Sequence, residues 1–132
     1  MRFKITTDYA IRALRLLHTR EGEVLTTMEM ALSIGTTAPI FAKIASKLRH
    51  AGILKTVHGQ FGGYVLGKPA HEISIYEVFL CIEGELRINH CLETGGLCSH
   101  GEQVKCKVHD ILYGIQDDLI NKLSNVSIAD LV

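Results

Sequence analysis

Two short runs rich in β-branched and aromatic residues, ILKTV at 53–57 and YVL at 64–66, are separated by His58-Gly59-Gln60-Phe61-Gly62-Gly63. Runs of this kind on either side of a glycine-rich stretch predict a β-hairpin. Its tip holds too few side chains to pack, so it presents His, Gln and Phe instead. Two strands alone are marginal in water, and the hairpin has to lean on whatever precedes it.

What precedes it is helical. Ala10, Ala13, Leu14 and Leu17 recur at helical spacing, which predicts a helix over 8–19 with Thr7 as N-cap and Asp8 in its first turn. Thr26 and Glu29 fit a reciprocal capping box, so a second helix starts there and stops near Gly35. Thr36 and Thr37 then lead into Pro39 at a first-turn position. That opens a third helix to His50, buried through Phe41, Ile44, Ala45 and Leu48 and ended by Gly52. Two helices joined by a short glycine turn are a helix-turn-helix, the second being the recognition helix. With the hairpin directly behind it as a wing, the expected fold is mostly α: a winged helix-turn-helix over residues 1–70.

Charge supports a polyanionic partner for that half. Residues 1–70 hold ten Lys/Arg against four Asp/Glu, a net of +6, and residues 71–132 hold four against ten, a net of −6. Lys43 and Lys47 lie one turn apart off the buried stripe, where two ammonium groups reach adjacent phosphates or guanine edges. Thr36, Thr37 and the helix start suit a phosphate, and His58 and Gln60 sit on the wing. A solvated basic face is the simpler reading of the lysines alone; joined to the wing and the charge asymmetry, they point to double-stranded DNA.

The second half, 71–132, carries a different chemistry. Ser74 with Glu77 predicts another capping box, opening a helix through Ile75, Val78, Phe79 and Ile82 to Gly84, with Cys81 as a small core residue. Cys91, Cys98 and Cys106 then fall in nineteen residues together with His100, His109 and three glycines, a composition suited to wrapping a metal. Cys106 and His109 stand at i and i+3. Spacing alone leaves a tetrahedral Cys3His zinc site, an iron-sulfur cluster and metal-free thiol chemistry all open.

A long helix is expected from about Gln103 to Ser124, with Val108, Ile111, Leu112, Ile115, Leu119, Ile120 and Leu123 apolar. That is more apolar surface than so small a unit covers alone, so it predicts a homodimer packed through this helix. The N-terminal stretch is amphipathic, with no continuous apolar run, and the expectation is a cytoplasmic protein without a signal peptide or membrane span. No phosphate-binding loop and no nucleophile with an oriented base appear, which argues against an enzyme.

Over essentially its whole length the chain resembles the Rrf-two family of bacterial winged-helix repressors. The resemblance is carried by TTDYAIRAL at 6–14, LRHAGILKTVHGQFGGYVLGKP at 48–69, IYEVFLCIEG at 75–84 and the three loop cysteines. It implies a homodimer with crossed long helices on a palindromic operator, and a cluster that modulates DNA affinity in response to nitric oxide, redox state or iron. Members of the family differ in the fourth ligand, and both candidates occur here. His109 matches the histidine that completes a 2Fe-2S site, and Asp8 matches the aspartate that reaches a 4Fe-4S cluster of the partner subunit. The second is slightly favoured, because a ligand shared between subunits couples cluster loss to dimer geometry. Three positions depart from the family pattern: the cysteine spacings of six and seven residues are long, His58 stands where the wing usually carries Arg, and Ala42 replaces an acid on the recognition helix. Zinc-bound or thiol-redox regulation, and a metal-binding adaptor acting by protein contact, are the alternatives.

Overall fold

The computed structural model describes residues 2–93 and 106–132 of the 132-residue chain. Helix α1 spans Ile5–Thr19 and buries Thr7, Ala10, Ala13, Leu14 and Leu17. Its N-cap is Lys4 rather than the expected Thr7. The Thr7 hydroxyl is fully buried and donates to Glu83 Oε2 at 2.5 Å, while the Lys4 amide donates to the same oxygen at 3.0 Å. A carboxylate from a distant helix thus does what a local capping side chain does elsewhere, and a charge-assisted acceptor draws Thr7 inward.

Helix α2, Thr27–Ile34, starts with the expected capping box: the Glu29 amide donates to Thr26 Oγ1 at 3.2 Å, and the Thr26 amide to Glu29 Oε2 at 3.0 Å. It ends at Gly35 in the left-handed region, φ 84°. Helix α3, Ala38–His50, has a proline in its first turn and buries Phe41, Ile44, Ala45 and Leu48.

The hairpin follows at once. Strands β1, Leu54–Val57, and β2, Gly63–Leu66, pair antiparallel in the register Leu54↔Leu66 to Val57↔Gly63. Leu25, ahead of α2, bridges Tyr64 from the other side, so β2 is flanked on both edges. A Cβ at Gly63 would lie 2.3 Å from the Leu25 carbonyl oxygen, which is why only glycine fits there. The Tyr64 ring meets Phe41 edge to face with centroids 5.4 Å apart, fixing the wing against the recognition helix.

Helix α4, Ile75–Glu83, buries Ile75, Val78, Phe79 and Ile82. Ser74 caps it through the Glu77 amide at 3.0 Å, but only half of the expected box forms: the Glu77 carboxylate takes Lys68 Nζ at 2.6 Å instead. An ammonium is the stronger partner for a carboxylate than a backbone amide. Helix α5 spans Lys107–Ser124 with Cys106, in an extended conformation, as its N-cap. The helix therefore begins after Cys106, and the expected start at Gln103 lies outside the described residues.

Beyond α5 the chain returns to the core. A short 3-10 turn, Ile128–Leu131, buries Ile128 completely, with the Ile128 amide donating to the Ile73 carbonyl at 2.9 Å and that of Ile75 to Val126 at 2.9 Å. One apolar cluster holds Leu14, Phe41 and Leu54 together with Ile73, Val78, Ile82 and Ile128, so the core runs across position 70. No described helix is long and apolar enough to cross a membrane.

Candidate nucleic-acid interface and sensor cleft

Helix α3 has two faces. With Phe41, Ile44, Ala45 and Leu48 buried, Ala42, Lys43, Ser46, Lys47, Arg49 and His50 are left exposed. Thr37, its N-cap, makes no side-chain capping bond, so the hydroxyl and the first backbone N–H groups of the helix are open to an acceptor, with half-buried Thr36 beside it. The lysines differ. Lys43 forms no ion pair among the described residues, whereas Lys47 Nζ turns toward α4 and donates to the Ile82 carbonyl at 3.4 Å. His50 is held back on its own helix, Nδ1 lying 2.7 Å from the Ser46 carbonyl.

On the wing, His58, Gln60 and Phe61 are all exposed. Arg49 at the end of α3 and Lys55 on β1 extend the cationic surface and were not among the positions singled out by motif. A signal for them does exist: no Asp or Glu occurs from Met30 to His71, a span holding Lys43, Lys47, Arg49, Lys55 and Lys68. Of these, Lys68 is neutralised by Glu77. The others face water with no acid from their own span to blunt them.

Cys81 lies at the seam of α3 and α4. It is half-buried rather than a core residue, and its thiol donates to the Lys47 carbonyl at 3.2 Å. Burial pushes this thiol above its ordinary pKa, against the opposing pull of the Lys47 ammonium and with a further upward push from Glu77. Its reactive thiolate is therefore scarcer than that of an unhindered thiol.

The residues expected to bind a metal or cluster separate, among the described residues, into two places. Cys91, in a 3-10 turn at His90–Leu92, lines a cleft of about 280 Å³ together with Arg87, His109, Tyr113 and Gln116. Asn89 Nδ2 approaches Cys91 Sγ at 3.2 Å, and His109 stacks on Tyr113 with centroids 6.4 Å apart. Cys106 stands three residues ahead of His109 at the start of α5. Cys98 lies outside the described residues, as does His100. Among the described residues no group of three or more metal-ligating side chains stands assembled. Two half-buried thiols and an imidazole at one end of α5 nevertheless fit an iron-sulfur cluster or zinc by donor chemistry.

Asp8 is elsewhere. Its carboxylate pairs with Arg12 at 2.5 Å, and Arg12 in turn donates to the Ile34 carbonyl at the end of α2. The cleft beside it is lined by Arg2, Phe3, Lys4, Ile5 and Thr6, with Phe3 and Ile5 exposed.

A helix-turn-helix with a cationic second helix, braced on a hairpin with an open tip, defines a winged-helix DNA-binding protein. The wider chain agrees with that class. The sequence profile described as "Rrf2: Iron-dependent Transcriptional regulator" matches residues 3–132, and the chain belongs to this family of transcriptional regulators, which are not enzymes. A Lactococcus lactis protein, YffB, named as a regulator of the helix-turn-helix type, is 32% identical over 117 residues, covering 84% of this chain and 73% of its own. The helix-turn-helix-type transcriptional regulator IscR of Photorhabdus laumondii is 30% identical over 134 residues, covering all of this chain and 79% of its own. In structure the chain is similar to CymR, the global cysteine regulator of Bacillus subtilis, with a TM-score of 0.83 over 99% of this chain and 95% of the other. At 21% identity that likeness speaks to the fold.

Proposed function

We propose that this chain is a homodimeric, cluster-dependent repressor that binds a palindromic operator through α3 and the wing. A division of roles at about residue 70 accompanies that reading, with DNA contact before it and sensing and dimerisation after it. The observation that supports the DNA contact is the acid-free, cationic surface of α3 and the wing. Thr36 and Thr37 meet a phosphate at the start of α3, Lys43 reaches the major groove, and Lys47, His58 and Gln60 complete the contact. Lys47 releases the Ile82 carbonyl to do so, which ties α3 occupancy to α4. Dimerisation falls to α5, whose Val108, Ile111 and Ile115 face solvent.

For the sensor, the supporting observation is that Cys91 and His109 share one cleft with Cys106 three residues away. In this reading Cys91, Cys98 and Cys106 hold an iron-sulfur cluster with His109 as the fourth donor of a 2Fe-2S site, which the shared cleft of Cys91 and His109 supports. Such a cluster supplies reactivity toward nitric oxide, oxygen and iron loss. Asp8 is a second reading, as donor to a 4Fe-4S cluster of the partner subunit. The exposed Phe3 and Ile5 beside it favour that reading, since they offer apolar surface to a second chain, and Arg12 would then lose its carboxylate partner.

Anaerobic purification with a visible spectrum and iron and sulfide assays tests both. Structured bands with about two irons per subunit, lost in His109→Ala, support the first reading; a broad band with about four, lost in Asp8→Ala, supports the second. A colourless protein that resists reconstitution removes the cluster and leaves zinc or thiol sensing. Operator affinity that falls steeply with salt separates all of these from an adaptor acting by protein contact.

A further inference from the structure

Phe61 is 86% exposed, more than any other large apolar side chain among the described residues. Its place explains how it is held there. The Gly62 amide donates to the Gly59 carbonyl at 3.1 Å, closing a turn whose two corner residues are Gln60 and Phe61. Gly59 takes φ 112°, and a Cβ at Gly62 would lie 2.4 Å from the Val57 carbonyl oxygen. The tip is therefore folded tightly onto its own first strand, and Tyr64 fixes the hairpin to Phe41 and Leu25. The ring stands out at the end of a braced arm, so little main-chain freedom is left to lose on binding.

From this geometry we propose that Phe61 is a DNA-contacting wedge that enters the minor groove beside the recognition site, packing on sugars and the edge of a base step. The proposal rests on the DNA-binding reading above and extends it to a specificity residue. Charge selects DNA as the occupant. Lys55 lies on the strand leading to the tip, His58 follows its last residue, Arg49 stands near the end of the adjacent helix, and no acid occurs between Met30 and His71. An apolar side chain on a segment that carries Lys55 and Arg49 and no acid matches a groove walled by phosphates, where inserted apolar residues partly unstack a step and favour deformable sequences. The contact therefore discriminates by how readily a step opens, and pyrimidine–purine steps under the wing are preferred.

The test uses the full chain and a 30-base-pair duplex that the wild-type protein selects from a random-sequence pool, with 2-aminopurine placed at steps under the wing. Wild type should raise the 2-aminopurine fluorescence. Phe61→Ala should bind about tenfold more weakly, the scale of one aromatic–base contact, without the fluorescence rise. It should do so at an unchanged salt slope, because an uncharged side chain displaces no counterions. Phe61→Leu should recover part of the loss and Phe61→Ser none. Equal affinity and equal fluorescence in Phe61→Ala overturn the proposal and leave DNA binding intact. So does a variant that binds weakly because it has become monomeric in sedimentation. A wild-type protein that selects no duplex, with no salt-dependent binding, overturns both readings.

Discussion

Helices α4 and α5 carry the same kind of apolar stripe and meet opposite fates. In α4, nine residues long, Ile75, Val78, Phe79 and Ile82 are all buried. In α5, twice the length, the one buried side chain is polar: Gln116, 5% exposed, whose Oε1 accepts the Ile88 amide at 2.9 Å. Ile111 is 63% exposed. Periodicity says that a helix has an apolar face; it does not say whose surface covers it. The first stripe belongs to the fold of one chain; the second is split, with Leu112, Leu119, Ile120 and Leu123 half-buried and Val108, Ile111 and Ile115 facing solvent.

That contrast can be broken most severely at Val78. Placing a carboxylate at this fully buried position, Val78→Asp, is expected to cost more than about 4 kcal/mol and to leave the chain unfolded by far-ultraviolet circular dichroism. The matching change on α5, Ile111→Asp with Ile115→Asp, should instead raise the dimer dissociation constant at least about a hundredfold, or about 3 kcal/mol. Sedimentation would show a folded monomer, and an unfolded one would mean that α5 also serves the single-chain fold. Gln116→Ala removes the acceptor of the Ile88 amide and should lower stability by about 1–2 kcal/mol in urea titration. No loss there would mean water replaces the side chain. Thr26→Ala, at the α2 capping box, should cost about 1 kcal/mol by the same measurement. The smallest effect concerns Cys81. Because burial raises its pKa, its thiolate forms only at higher pH than that of an unhindered thiol. Iodoacetamide at pH 8 should label it several-fold more slowly than the same cysteine in unfolded protein; equal rates would mean the α3–α4 seam opens readily.

Much of the winged half is legible from local signals. Thr26 with Glu29, Pro39, the α3 stripe and the glycine-rich hairpin each encode their structure within a few residues, and each is present in the fold. The misses share one cause. Their neighbours along the chain point Thr7 and Glu77 to local capping, yet their partners, Glu83 and Lys68, lie 76 and 9 residues away. Long-range polar partners leave no periodic trace. The same holds for Ile128, whose burial against Ile73 could not be read from the short tail after α5. For the candidate metal site, the donor types are readable in sequence, and the fold adds that Cys91 and His109 line one cleft while Asp8 sits in another.

The return of the C-terminus gives α5 a mechanical character. Ile128 is locked into the core just past one end of the helix, and Gln116 is bonded near its middle. The nine residues 107–115 then run about 13 Å past Gln116, and among the described residues they face the segment 87–92 across the cleft. A rotation of roughly 10° about Gln116 displaces the Cys106 end by about 2 Å on that helical rise. Under the proposed sensor and dimer reading, a small rearrangement at Cys106 is levered along Val108, Ile111 and Ile115, which face solvent.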